Sequence, residues 1–158
     1  MSATTDVCRL NEVLPAGTWS GSAEDRVVLD YDGRHRRRLV LTADSGARYL
    51  LDLAEAVHLR HGDGLRATDG AIVEVVALAE PLLEVRAATP ADLLRLAWHL
   101  GNRHLAADIQ PDRILIRRDH VIAHMLEHQG AIVAEVLAVF DPEAGAYHGH
   151  AHGHGHAH

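Results

Sequence analysis

Six of the 14 histidines in this chain stand in its last eleven positions. They are His148, His150, His152, His154, His156 and His158, separated by single Gly or Ala residues. A cloning tag is usually an unbroken run behind a vector-like linker; this tail alternates and follows Phe140–Tyr147 with no visible junction. Neutral imidazole is a borderline ligand that suits Ni(II), Zn(II) and Cu(II). Gly and Ala spacers let several rings bend toward one ion. Ligands of this kind are interchangeable, and ordering them costs ~1–2 kcal/mol per fixed residue, so weak, multi-ion binding is expected. An unperturbed imidazole pKa of about 6.5 means that acid should release the metal. The tail has almost no apolar bulk and is expected to be disordered until bound.

Other histidines precede the tail. His99 and His104 flank Gly101-Asn102. On composition alone, a lone His at such a place is more often a surface or core residue than a ligand. His120, His124 and His128 recur every fourth residue, at about 0°, 40° and 80° on a helical wheel. Val121, Met125, Ile122 and Leu126 fall at about 100° to 240°, so the stripe mostly turns away from the apolar face. An i,i+4 His pair on a helix chelates an ion in zinc metalloproteases; a solvated polar face explains the same spacing. Glu127 lies beside the stripe.

Positioning these side chains requires a folded scaffold, and 158 residues suffice for one domain or two small ones. Hydrophobic residues make up 47% but aromatics only 4%, so the core must be built from Val, Leu, Ile and Ala. The net charge of −7 argues against a general nucleic-acid binder. Cys8 is the only cysteine, which leaves no internal disulfide and no thiolate zinc cluster. No basic-then-apolar leader is visible and no apolar run approaches membrane length, so a cytosolic, non-membrane protein is expected.

The first half carries Asp32-Gly33, Ser45-Gly46, Asp63-Gly64 and Asp69-Gly70 as turn signals. Between them lie β-rich runs at 27–29, 38–42, 48–51 and 72–76, which predict a small all-β domain over residues 1–78. The run Arg34-His35-Arg36-Arg37-Arg38 enters a strand and reads as a solvated edge or a partner-binding patch. In the second half Leu82–Arg86 predicts a strand. Thr89 caps a helix that opens at Pro90, carries Asp92 in its first turn and stops at Gly101. Short strands are expected at Ile109 and at Ile114–Ile116. Asp119 caps a second helix that ends near Gln129-Gly130, and Ile132–Val139 is the last strand. The order β-α-β-β-α-β is the split pattern of a ferredoxin-like fold, over residues 79–145. An α+β protein with a free tail at 146–158 is therefore expected.

Three strings are more specific. Trp98-His99-Leu100-Gly101-Asn102-Arg103-His104, Asp119-His120-Val121-Ile122 with Met125-Leu126, and Phe140-Asp141-Pro142-Glu143-Ala144-Gly145-Ala146-Tyr147 before a His-rich end resemble the UreE family of nickel metallochaperones. The resemblance covers most of the chain and is strongest from about residue 95. It implies a homodimer of two-domain subunits, formed through the ferredoxin-like domain. The N-terminal domain would resemble a peptide-binding domain of a heat-shock co-chaperone. His104 of each subunit would share one nickel ion across the two-fold axis. His120 matches a further ligand in some members, but its usual companion is here Arg118 and an acidic position is here His124. His120, His124 and His128 are therefore expected to form a weaker replacement site.

The implied function is delivery of Ni(II) to the urease apoprotein complex with a urease accessory GTPase as partner. No Gly-x-x-x-x-Gly-Lys-Ser/Thr string is present, so the nucleotide site must belong to the partner. A general Ni, Zn or Cu buffer or storage protein is the alternative. An enzyme is not expected: there is no His-Glu-x-x-His, paired-carboxylate string or nucleophile motif.

Overall fold

A computed structural model describes residues 7–143. The chain divides into two compact units, Met1–Glu80 and Pro81–His158. No helix among the described residues is long and apolar enough to cross a membrane.

Unit 1 is built on a six-stranded sheet. Its strands are β1 Cys8–Leu14, β2 Asp25–Leu29, β3 His35–Thr42, β4 Arg48–His58, β5 Gly64–Ala67 and β6 Ile72–Ala77, in the order β2-β6-β5-β1-β4-β3. Alternation puts Leu41, Leu51, Leu53, Leu65, Val73 and Val75 on the inner face, where they are buried together with Leu10 and Val27. Two of the expected turns close hairpins: Gly46 (φ +87°) between β3 and β4, and Gly70 (φ +91°) between β5 and β6. The other two do not. Asp32-Gly33 lies in a four-residue helix, α1 Tyr31–Arg34, capped by Asp30, whose carboxylate accepts the Gly33 N–H (2.7 Å). Gly64 opens β5, where an added Cβ would come within 3.0 Å of both Ile72 and the Trp19 ring. It is a close-packing glycine rather than a turn former. Two strands absent from the sequence reading, β1 and β5, occupy the middle of the sheet.

The arginine run is not uniformly a surface feature. Arg34 is fully buried and its guanidinium donates to the Leu59 carbonyl (3.2 Å), whereas Arg36, Arg37 and Arg38 are exposed on the edge strand β3.

Unit 2 holds β7 (Ala79–Arg86) from Pro81 onward, then α2 Pro90–Asn102, β8 Asp108–Ile109, β9 Ile114–Arg117, α3 His120–His128 and β10 Ile132–Val139. The sheet order β10-β7-β9-β8 is the split arrangement: the strands joined across each helix have another strand between them. Leu83, Val85, Ile114 and Ile116 pack against Leu96 and Leu100 of α2 and Ile122 and Leu126 of α3. Thr89 caps α2 through the Asp92 N–H (3.1 Å), and Asp119 caps α3 through the N–H groups of Val121 and Ile122 (2.9 and 3.1 Å). Both caps stand where the sequence placed them.

Candidate metal centre

The end of α2 differs from the sequence expectation. Gly101 does not stop the helix; it continues through Asn102, with Arg103 as the C-cap. The turn is made by His104 itself, at φ +57°, the only non-glycine residue with positive φ among the described residues. His104 N–H donates to the Gly101 carbonyl (3.0 Å) and Leu105 N–H to the Leu100 carbonyl (3.2 Å). These are the paired bonds of a Schellman motif, in which the left-handed position normally holds glycine. The apolar contact that accompanies the motif is present too, as Leu105 packs on the cluster containing Leu100. His104 is therefore exposed on a rigid base at the helix end. His99, in the last turn of α2, is half-buried, and its ring lies 5.1 Å from that of Trp98.

The chain after β10 returns to this neighbourhood. Phe140 is fully buried, with the Arg117 guanidinium 5.8 Å from its ring centre. Asp108, buried at the start of β8, accepts the Asp141 N–H on its carboxylate (3.2 Å). Glu143 N–H donates to the Ala107 carbonyl (2.9 Å). The root of the C-terminal segment is thus fastened three residues after His104. His148, His150, His152, His154, His156 and His158 lie outside the described residues.

His120, His124 and His128 are all exposed on α3, opposite buried Ile122 and Leu126. The apolar arc is narrower than expected, because Val121 is exposed and Met125 only partly covered. His120 lines a groove of about 430 Å³ with Arg118, Glu127 and Glu135; His124 and His128 do not line it. Arg118 reaches Glu135 at 3.9 Å. Among the described residues no three His, Cys, Asp or Glu side chains converge as a metal site.

Comparison with known proteins bears on these strings directly. Residues 10–78 match the family model for the UreE urease accessory protein N-terminal domain, and residues 80–158 that for its C-terminal domain. The chain belongs to the UreE family. It is 55% identical over 139 residues to a urease accessory protein UreE of a Bradyrhizobium species, covering 88% of this chain and 68% of that one. A UreE of Rhodobacter capsulatus is 50% identical over 139 residues, with 88% and 86% covered. A UreE of Rhodopseudomonas palustris is 55% identical over 129 residues; 82% of this chain is covered, but only 61% of that longer relative.

UreE proteins are named as urease accessory proteins, which implies a role for this chain in urease maturation. Within that frame, two features of the site escaped the sequence. One is the left-handed backbone of His104, masked by the more obvious stop at Gly101. The other is the anchoring of Asp141 and Glu143, which depends on partners more than thirty residues away.

Proposed function

We propose that this chain is a non-enzymatic nickel carrier. It binds Ni(II) through His104 of two copies and through the tail histidines 148–158, and delivers the ion to urease apoprotein with an accessory GTPase in the cytoplasm. The observation that carries this reading is the bond from Glu143 N–H to the Ala107 carbonyl (2.9 Å). Five residues separate Glu143 from His148, a reach of roughly 17 Å, and three separate Ala107 from His104, roughly 10 Å. A chain of that length would let the first tail imidazole reach the helix-end imidazole.

Three features of α2 support pairing of two copies there. Leu94 and Trp98, one turn apart on its outer face, are 73% and 64% exposed. Gly101 continues that face, and a Cβ added to it would meet nothing within 4 Å. A helical glycine costs about 1 kcal/mol against alanine, and here nothing among the described residues requires it. Close approach by a second copy would. A two-fold axis then supplies two imidazoles from one residue, leaving positions for the tail or a recipient to exchange. His120, with His124 and His128, would be a weaker accessory site, and His99 at most a secondary ligand. Unit 1 would serve as the partner-binding module.

Equilibrium dialysis tests this with nickel, using the full chain, a chain ending at Tyr147, and that truncation carrying His104→Ala. The expected result is a lower count on truncation, with about one tight ion per dimer remaining and lost on His104→Ala. A truncated chain that binds no nickel would instead make the protein a tail-based metal buffer.

A further inference from the structure

Unit 1 brings two imidazoles together on its sheet. His35 opens β3 and His58 closes β4, and the two are directly opposite each other in antiparallel register. Directly opposed residues project from the same face of a sheet with Cβ atoms about 4.5–5.5 Å apart. The two ring centres are 5.8 Å apart, with planes at 61°. Tyr31 of α1 packs beside both, at 5.6 Å from His58 and 6.4 Å from His35. Both imidazoles are half-buried, so they are held by neighbours yet reachable from solvent.

A metal sits about 2.0–2.1 Å from an imidazole nitrogen, hence about 3.2 Å from the ring centre. Two imidazoles on one ion therefore keep their centres about 4.5 Å apart at a right angle and about 6.4 Å apart when trans. The observed 5.8 Å lies inside that interval. The spacing of the pair is thus compatible with one shared ion.

The backbone under the pair is fixed reciprocally. Leu59 N–H, next to His58, donates to the carbonyl of Arg34, next to His35 (2.7 Å). The Arg34 guanidinium donates back to the Leu59 carbonyl (3.2 Å). Tyr31 N–H donates to the Glu80 carboxylate (2.9 Å), which pins the third ring. A chelating pair that needs no ordering of its backbone loses little entropy on binding. Charge sets the strength: the buried Arg34 opposes a dication, and the carboxylates of Asp30, Asp32 and Glu80 near the same short helix offset it in part. Two imidazoles with no thiolate select late first-row ions over Mg(II) or Ca(II).

We propose that His35 and His58 form a cross-strand chelate for a late first-row divalent ion, a metal site in unit 1 distinct from the histidines of unit 2 and the tail. The proposal does not depend on the reading of His104. Its alternative is that the three rings merely pack α1 onto the sheet.

The test is acylation of histidines in the full-length protein with diethyl pyrocarbonate, read residue by residue by mass spectrometry, with nickel alone, magnesium alone, or chelator. Nickel should slow acylation of both His35 and His58 by at least about fivefold at several times its dissociation constant, and magnesium should not. His35→Phe keeps a ring beside Tyr31 but removes the ligand nitrogens. In that variant nickel should no longer protect His58, while the tail histidines remain protected as the internal control. Far-UV circular dichroism and the unfolding midpoint of His35→Phe verify that the sheet is intact. If it is not, His58→Phe with His35 as the reporter gives the same test from the other strand. Equal acylation rates with and without nickel would overturn the proposal. So would protection of His58 that survives in His35→Phe, since one imidazole or a remote change would then account for it.

Discussion

Replacing His104 with glycine should stabilise the metal-free protein while removing the imidazole. The two long helices of unit 2 end in the same motif. In α3 the left-handed position is Gly130 (φ +85°), whose N–H donates to the Glu127 carbonyl (3.0 Å) while Ala131 N–H donates to that of Leu126 (3.0 Å). In α2 the equivalent bonds are 3.0 and 3.2 Å, but His104 carries a Cβ into the left-handed region. That conformation costs about 1–2 kcal/mol for an L-residue. Glycine removes the cost but gains roughly 0.5–1 kcal/mol of extra unfolded-state freedom. The net expectation is stabilisation of about 0.5–1 kcal/mol, or a few tenths molar in urea midpoint at an m of roughly 1–3 kcal/mol/M. His104→Ala keeps the strain and subtracts whatever the imidazole contributes, so the glycine–alanine difference isolates the backbone term. Gly130→Ala is the mirror control and, with the same unfolded-state offset, should destabilise by about 0.5–1 kcal/mol. The assay is urea unfolding in chelator followed by far-UV circular dichroism, which reports unit 2 because α2 and α3 both lie there. Equal midpoints for His104→Gly and His104→Ala would refute the argument that the histidine occupies a strained position.

Gly101→Ala should stabilise α2 by up to about 1 kcal/mol at low protein concentration, and weaken self-association measured by sedimentation equilibrium. Asp108→Ala should cost roughly 1–2 kcal/mol through the lost Asp141 N–H bond. It should also speed amide exchange at Asp141 and Glu143 without changing the number of nickel ions bound. Glu84 is held below the ordinary carboxylate range by Arg86 and then Arg113, with ion-pair distances of 2.8 Å to each. A depressed carboxyl stabilises above its unfolded pKa, and that contribution is lost as pH falls through the folded value. The urea midpoint of Glu84→Gln should therefore lie below that of the wild type near neutrality, and the gap should close on acidification below about pH 4.

The sequence disclosed features that depend on near neighbours. Thr89-Pro90 with Asp92, Asp119 before α3, and the glycines at 46 and 70 act within a few residues, and each stands as expected. Features set by distant partners were hidden. β1 shows one fully buried side chain, Leu10, flanked by exposed Arg9, Asn11 and Glu12, so its place between β5 and β4 leaves little mark on its pattern. β5 is four residues long and starts at Gly64, which reads as punctuation until Trp19 and Ile72 are seen against it. Arg34 reads as one more exposed cation in a basic run; its burial involves the Leu59 carbonyl, 25 residues away, which no local pattern announces. The candidate ligands divide in the same way. The helical spacing of His120, His124 and His128 gave their exposed face correctly, but not that His120 alone opens into the groove with Glu127 and Glu135.

On the proposed reading, the two parts of the metal site obey different physics. His104 is a single side chain whose backbone is fixed by two hydrogen bonds and the packing of Leu105, so it would act as a fixed ligand. The tail histidines act through proximity. With Glu143 fastened to Ala107, their approach to His104 would be that of tethered ligands, for which effective concentrations are of the order of millimolar. That advantage changes slowly with tether length, by only about 0.6 kcal/mol per doubling, and is shared among equivalent imidazoles. If the tail binds as proposed, the alternation of His with Gly or Ala would offer an ion many nearly equivalent imidazoles to pass between. A cargo that must be released to a recipient needs such exchange at one end of its path and a fixed docking point at the other.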